Sequence, residues 1–524
     1  MNVSVQGNRL AITFPFDLRL IEIVRTIPDR AWNLPSHKGI WSVPATAFHC
    51  EAVIKTLKPA GFNIHPDVVK CADVKAERPA SLRKQLPKNL YPYQKEAVEF
   101  THAARGRAII GDAPGVGKTA PALVWTYMFG GKKALIVAPA NVTYKWAEKE
   151  VPMWAAGKTV QVVEGGKKAI DPDIDIVIMS YRTMVMRFEE LNRMPFDTMI
   201  FDEAHYLKSN KSQQNRIARK LVKGVPYLLF LTGTAFKNKR YEMFQLLHMI
   251  DPIAWPNAAD FGVRYCGGVL DHGQWITPPN YETNTEELQL RLRSVMIRRT
   301  KKQVIKDLPD LTRTYLPIHL SNEKDYATTL RAAKEQARAE GYKPGSALVL
   351  LNKLRQVVGR GKTSAALEIA EDLLDAGEQV VMFAHHKEVI KTLVDGLMKM
   401  GINAYLIGVI DGSTPSQERQ LLSMSFQAGH KRVMVISSAG KEGIDLFASS
   451  HLIMVERLWT GADEEQIEAR VHRNGQKNAV TAYYPIAKGT VDERLDQIVR
   501  GKNTEFANLN ETDVIRVLFM ELLK

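Results

Sequence analysis

Cysteine is scarce in this chain. Three thiols in 524 residues, Cys50, Cys71 and Cys266, lie too far apart in sequence for a disulfide framework or a zinc knuckle. That spacing predicts ordinary buried thiols in a reducing compartment and no structural zinc. Long apolar runs are also missing, none approaching the ~18 residues needed to cross a bilayer. The N-terminus lacks a basic region followed by an apolar core. The expectation is therefore a soluble, intracellular protein with no membrane partner. No internal repeat or low-complexity tract is present, which excludes solenoid and fibrous architectures. Acidic residues are the minority, 57 against 71 Lys and Arg, leaving a net charge of +14. Such an excess points to a polyanionic partner, with nucleic acid the leading candidate. At 45% hydrophobic the chain can bury several cores, and its length suggests about three domains.

The stretch around which the rest is organised is Gly111 to Thr119, GDAPGVGKT. An apolar run, Arg107 to Ile110, precedes it and a helix-like run, Ala120 to Tyr127, follows, so it reads as strand, loop and helix. Gly115 and Gly117 let backbone N–H groups approach phosphate oxygens. Lys118 can reach the β- and γ-phosphates, and the Thr119 hydroxyl can ligate Mg²⁺ at a helix N-terminus that favours anions. The full pattern G-x-x-x-x-G-K-[ST] would place its first glycine at position 112, which is Asp112 here. A Gly-rich turn closed by chance with Lys and Thr is the alternative.

Partners for that loop lie downstream. Met199 to Phe201 reads as a buried strand running into Asp202-Glu203-Ala204-His205, which places two carboxylates at a strand end. Asp202 is suited to hold Mg²⁺, and Glu203 to orient or deprotonate an attacking water. Taken alone, such a pair is a solvated cap. Gln466 to Gln476 carries Arg470 and Arg473, three apart and so expected on one helix face, where they can reach a γ-phosphate as arginine fingers. The plain alternative is a charged helix surface.

Residues 1–70 read as a small α+β module: strand-like stretches about a Gly-Asn turn, a helix near Ile21–Ile27, a hairpin over 31–44 and a helix near Phe48–Leu57. Residues 1–90 hold 13 Lys and Arg against 7 Asp and Glu. Trp32 and Trp41 with Arg30 and Lys38 can form a stacking, phosphate-contacting surface, or the tryptophans can staple a small core. Lys70 to Lys88 is charged and punctuated by proline, as a linker would be. Gln94 opens a helix, and its amide can read an adenine edge. Apolar strands ending at Pro139–Asn141, Ser180–Tyr181 and Thr232–Thr234 repeat one pattern. In a doubly wound sheet those ends share one edge, where ATP and a second ligand can both be contacted.

In this order Tyr93-Gln94, Gly115 to Thr119, Asp202 to His205, Leu231 to Thr234 with Asn238, and Gln466 to Gln476 resemble the motifs of superfamily-two helicases of the Swi/Snf type. The segments Tyr241 to Pro252, Phe261 to Cys266 and Met296 to Pro309 resemble that family's helical insertions, which RNA helicases with a DEAH box lack. Asp112 also matches the family's phosphate loop. The resemblance covers roughly residues 88 to 500. Departures at Tyr91, Ala113-Pro114 and Asn474 bear little on ATP hydrolysis.

The resemblance implies two tandem RecA-like doubly wound α/β lobes with helical insertions, and ATP with Mg²⁺ as cofactors. It implies a first lobe over 89–315 with its insertion at 237–315, a second over 316–500 and a helical tail at 501–524 that packs across the lobes. The linker is then 71–88. Leu354 to Gln356 resembles the inter-lobe signature, and Gly412 to Thr414 with Arg419 the next block. Val433 to Leu446 resembles motif V, with Gly443 and Asp445 facing nucleotide and Ser438 facing DNA backbone. Arg470 and Arg473 would complete the ATP site when the lobes close. Pro139, Asn141, Ser180, Tyr181, His385 and Ser438 would grip DNA phosphates in turn. His385-His386 has no carboxylate at metal-ligand spacing, which favours a structural reading.

Leu20 to Arg30 with Trp32, Lys38, Trp41 and Ser42 is similar to the HARP-type domain of annealing helicases. On that similarity the chain is a DNA-dependent ATPase and double-stranded DNA translocase that remodels forked or branched DNA by annealing, fork reversal or branch migration. It would act as a monomeric motor, alongside replication or repair proteins, in bacterial cytoplasm or nucleoid, a virus-infected cell or a nucleus. The alternatives are a translocase that displaces proteins from duplex, a motor subunit of a restriction or defence system, and a DNA-binding scaffold with a vestigial ATPase. Intact Lys118, Asp202, Glu203, Arg470 and Arg473 weigh against the last.

Overall fold

The computed structural model describes residues 1–6, 9–27, 30–34, 37–45, 47–72, 80–165, 169–233, 240–271, 274–276, 282–305, 307–441, 443–501 and 511–523. Thr234 and Asn238 lie outside them. Two compact units are formed. The first comprises Met1–Asp112, Lys118–Ala138 and Glu150–Arg299, and the second Ala113–Gly117, Pro139–Lys149 and Thr300–Lys524.

In the first unit, Asn2–Gln6 and Arg9–Thr13 pair antiparallel, and Arg9–Thr13 pairs in turn with His37–Pro44; the expected Gly-Asn turn lies outside the described residues. Ala31–Leu34 and Asn63–Ile64 complete a five-stranded sheet. The helix Leu18–Arg25 starts where Asp17 accepts from the amides of Arg19 and Leu20, at 2.8 and 3.3 Å. A second helix, Ala47–Leu57, lies against the insertion helix Thr285–Leu292. Burial of Val3, Leu10, Ile12, Val24 and Val53 gives the module its own core. Cys50 and Cys71, distant in sequence, come together there as hydrogen-bonded thiols. Within the stretch expected to be a linker, Ala80–Gln85 is helical.

The larger sheet of this unit has seven strands, in the order Met296–Ile297, Arg107–Ile110, Tyr227–Leu231, Thr198–Asp202, Ala134–Ala138, Ile176–Ser180 and Val160–Val163. All its pairings are parallel. Parallel strands are covered on both faces, which is why these read as continuous apolar runs, with all five residues of Ala134–Ala138 buried. Their C-terminal ends share one edge, carrying Gly111, Ser180, Asp202 and Thr232. At the opposite edge Arg107 clamps the carbonyls of Ile250, Val225 and Met249 at 2.7–2.8 Å. Those carbonyls close the helix Phe244–Ile250 and the turn before Tyr227.

The second unit holds a six-stranded parallel sheet ordered Leu311–Ile318, Val480–Ala487, His451–Met454, Val380–Phe383, Val433–Ile436 and Ile407–Ile410. Its first strand and everything from Thr300 onward belong to this unit. The tail helix Glu511–Leu522 buries Val514, Ile515, Leu518 and Phe519 against Leu350, Leu351 and Leu354 of the helix Pro344–Gly361. Its apolar face is therefore satisfied within the second unit, and the expected packing across the lobes is replaced by this core. Lys362, fully buried, pairs with Asp492 at 2.8 Å.

Asp492→Ala strands that ammonium in the core and is expected to destabilise the second unit by about 3–5 kcal/mol. Denaturant unfolding checks this by a lowered midpoint for that unit's transition, with the first unit's transition unmoved.

Candidate nucleotide and nucleic-acid site

Gly115 and Gly117 have φ values of +82° and +83°, a left-handed backbone that only glycine adopts without strain. The chain passes from one unit to the other within this loop. On the first-unit side, the helix Thr119–Phe129 begins at the hydroxyl residue, and Lys118 Nζ donates to the Asp112 carbonyl at 3.0 Å. Asp112 itself, 2% exposed, takes a bidentate pair from Arg299 at 3.1 and 2.6 Å. Arg299 also donates to the Tyr93 carbonyl at 2.6 Å and to Glu96 at 3.0 Å. The residue that departs from the glycine pattern thus anchors the loop to the strand-like segment after the helical insertion.

Gln94 is buried at the start of the helix Pro92–Ala103, and its Oε1 accepts from the Tyr91 amide at 3.1 Å. Its carbonyl oxygen is thereby engaged in capping the helix. Asp202 ends its strand, and its Oδ1 accepts from the Glu203 amide at 3.0 Å. Glu203 sits at φ +49°, a strained conformation for a residue with a Cβ, and its carboxylate lies 3.2 Å from His205. Among the described residues no three His, Cys, Asp or Glu side chains gather as a metal cage. One hydroxyl and one carboxylate, Thr119 and Asp202, fit Mg²⁺, which keeps several waters and takes phosphate oxygens rather than an all-protein shell.

In the second unit, a Cβ built on Gly115 would lie 3.2 Å from the Arg473 Cβ, 3.5 Å from the Ala469 carbonyl and 3.6 Å from the Lys301 Cε. The phosphate-loop glycine is therefore packed directly against the arginine segment. Arg470 and Arg473 do not share a helix face as their spacing predicts. The helix Gly461–Val471 stops at His472, whose ψ of 86° leaves the helical region, and Arg473 lies beyond it. Both guanidiniums nevertheless converge on the Ile444 carbonyl, at 3.4 and 3.5 Å.

Asp445, expected to face nucleotide, is instead the counter-charge of a cation cluster. It pairs with Arg473, with Lys145 at 3.0 Å and with Lys149 at 2.8 Å. Burial pushes its carboxyl up, but Arg473 and the two lysines outweigh that and hold it well below the usual carboxylate range. Gly443, φ +80°, is needed for close packing: a Cβ there would meet Val142 at 2.8 Å and the Asn141 carbonyl at 3.0 Å. Lys145 and Lys149 carry no signal in the sequence beyond their four-residue spacing, and Arg299 and Lys301 stand in the segment Met296 to Pro309, which carries a family resemblance but no assigned role.

Several residues expected on a nucleic-acid track do meet in the second unit. His385 Nδ1 lies 3.2 Å from Ser438 Oγ, and Asn141 Nδ2 donates to the Ala439 carbonyl at 3.4 Å, next to Pro139 and Ala140 in the chain. Burial, with Arg355 and His386 nearby, pushes the His385 ring down to about 4. It is neutral at neutral pH. His386 is structural: its Nδ1 meets Glu456 at 2.6 Å, and Glu456 also accepts both backbone amides of the histidine pair.

Two candidates of the first unit do not fit a track. Tyr181 is 4% exposed, its hydroxyl donating to the Asp202 carbonyl at 2.7 Å and its ring stacked on Tyr206. Ser180 caps the short helix Tyr181–Met186 by accepting from the Thr183 amide. Tyr181 is thus turned inward, whereas Ser180 stays half-buried at the helix start. In the N-terminal module Trp32 is 53% exposed and meets half-buried Trp41 edge to face at 5.0 Å. Exposed Arg30 donates to the Ile27 carbonyl. The Lys38 side chain lies outside the described residues.

Comparison with known proteins identifies two matching domain models and several relatives. Residues 93–360 match the SNF2-related domain, and residues 364–475 the Helicase conserved C-terminal domain. The SWI/SNF-related matrix-associated actin-dependent regulator of chromatin subfamily A-like protein 1 homolog of Caenorhabditis elegans is 30% identical over 95% of this chain and 74% of its own length. The Xenopus tropicalis protein of that name is 31% identical, over 80% of this chain and 44% of its own. The human DNA annealing helicase and endonuclease ZRANB3 is 27% identical, over 78% and 39%. The chain thus spans about three-quarters of the first relative and less than half of the other two. Among the described residues no helix is long and apolar enough to cross a membrane.

Arg299→Ala leaves Asp112 a buried carboxylate without its cation, with an expected loss of about 3–5 kcal/mol. The double variant Arg299→Met with Asp112→Asn is expected to recover most of that loss. Denaturant unfolding of the two variants beside the parent checks the pairing.

Proposed function

The chain belongs to the SNF2-related family, and on that premise we propose that it is an ATP-driven translocase of double-stranded DNA that remodels forked or branched structures. The observation that carries the ATP reading is the approach of Arg473 to Gly115: an arginine of the helicase C-terminal segment packs on the phosphate loop. Lys118 would hold the β- and γ-phosphates, and the amides around Gly115 and Gly117 would cradle their oxygens. Glu203 would orient the attacking water, and Arg470 and Arg473 would stabilise charge on the transferred phosphoryl group. Thr119 and Asp202 would hold Mg²⁺, which when bound neutralises phosphate charge and orients the reacting oxygens. Asp445 keeps the Arg473 guanidinium in place.

DNA would lie along Pro139, Asn141, Ser438 and His385 in the second unit, with His385 serving as a neutral hydrogen-bonding group. The net charge of +14 favours this polyanionic partner. Exposed Trp32 with Arg30 and Trp41 supports a junction-reading role for residues 1–70, since an aromatic face beside cations stacks unpaired bases. A relative named as a DNA annealing helicase supports DNA annealing as part of this activity.

Lys118→Ala is expected to abolish ATP hydrolysis while sparing DNA binding, as read by phosphate release and by fluorescence anisotropy on a labelled duplex. Normal turnover would remove the phosphate-loop assignment. Trp32→Ala with Arg30→Ala alters only exposed side chains, so duplex-stimulated hydrolysis should persist while the preference for forks is lost. Unchanged regression of a model fork by that variant would reject the recognition role of the N-terminal module.

A further inference from the structure

Among the described residues of the second unit, Lys301 is a cation beside Gly115 that the proposed mechanism leaves unused. Lys301 opens the short helix Lys301–Val304, and its Cε lies 3.6 Å from the position a Cβ on Gly115 would take. Its Nζ donates to the His472 carbonyl at 2.7 Å, the residue between Arg470 and Arg473 in the turn that follows the arginine helix. The charged groups facing it on that helix are Arg470, Glu465 and Glu468, with His472 and Arg473 just beyond. The phosphate-loop segment Ala113–Gly117 brings no ionisable group. Glu468 is already committed to Arg313, through contacts of 2.6 and 2.7 Å, and to the Tyr484 hydroxyl at 2.9 Å.

Arg473 and Lys301 thus pack on one loop glycine, with Arg470 acting on Lys301 from the neighbouring helix, while Glu468 is engaged elsewhere. Burial and then the two arginines push the Lys301 ammonium down to about 7, with Glu468 and Glu465 opposing them only in part. A group of phosphate oxygens is the chemistry that satisfies such a cluster, since it supplies several negative charges within reach of the glycine backbone.

We propose that Lys301 is a third phosphate-binding cation of the nucleotide site, its ammonium joining Arg470 and Arg473 at the triphosphate. This rests on the reading of Gly115 to Thr119 as the ATP-binding loop. The consequence has a sign. If nucleotide raises the Lys301 pKa, binding takes up a proton wherever the free ammonium is partly deprotonated, so affinity falls as pH rises above about 7.

The test is calorimetric titration of the full chain with a non-hydrolysable ATP analogue and Mg²⁺. It is run from about pH 7.5 to about pH 9, in two buffers of different ionisation enthalpy, with thermal unfolding as a folding control. The parent is expected to take up a fraction of a proton that grows with pH, with affinity falling by up to about tenfold per pH unit. Lys301→Arg, charged throughout, is expected to bind without that uptake and with a flatter pH profile. Lys301→Met is expected to bind about tenfold or more weakly, as loss of a charge-assisted contact would dictate.

Parent-like proton uptake and pH slope in Lys301→Arg would overturn the proposal, as would parent-like affinity in Lys301→Met. Lys118→Ala serves as the reference. If it weakens the analogue and the Lys301 variants do not, the inference fails alone; if neither changes binding, the reading of the loop fails as well.

Discussion

Like charges must be held close together wherever a protein handles phosphate, and in this chain that constraint is met by a few buried carboxylates. Asp445 is the clearest case, a single acid facing Arg473, Lys145 and Lys149. Asp112 does the same for Arg299, and Glu468 for Arg313. Each pair is costly to desolvate, and its value lies in fixing where a guanidinium or ammonium sits rather than in stability. The loop that would take phosphate has few side chains of its own, so the Asp112–Arg299 pair fixes where it begins. Asp112 ties the loop's beginning to the segment after the helical insertion, and Glu468 fixes the back of the helix Gly461–Val471 that carries Arg470.

Much of the architecture was legible in the chain. Buried parallel strands read as apolar runs of four or five residues ending in small polar ones, and the seven- and six-stranded parallel sheets follow from them. The loop Gly111–Thr119 was legible as a strand-to-helix glycine turn, and Gly115 and Gly117 do take the left-handed backbone such a turn requires. What could not be read were features set by contacts distant in sequence. Arg473 leaves the helix because the chain turns at His472, a break that periodicity alone does not show. Tyr181 resembled an exposed strand end, yet a hydrogen bond to the Asp202 carbonyl draws it inward. Gly443 looked like a nucleotide contact and proves to be a packing glycine against Asn141 and Val142. Lys301 meets His472 across 171 residues of chain, with no local pattern to announce it.

The N-terminal module illustrates how a small domain is held for use. Its sheet has a core of its own, and the helix Ala47–Leu57 rests on the insertion helix Thr285–Leu292 within the same unit. That contact lets an exposed aromatic such as Trp32 be presented from a body that also contains Lys118, Asp202 and Glu203. Trp32, 53% exposed, packs edge to face on Trp41, a contact that orients its ring.

The most direct measurement is the steady-state ATPase rate with no nucleic acid, single-stranded DNA, plain duplex, a model fork and structured RNA, all at one salt concentration because phosphate contacts are salt-dependent. The account predicts a low basal rate and the highest rate on the fork, with duplex next and RNA near basal. Hydrolysis that no DNA stimulates, or a rate highest on RNA, would contradict it.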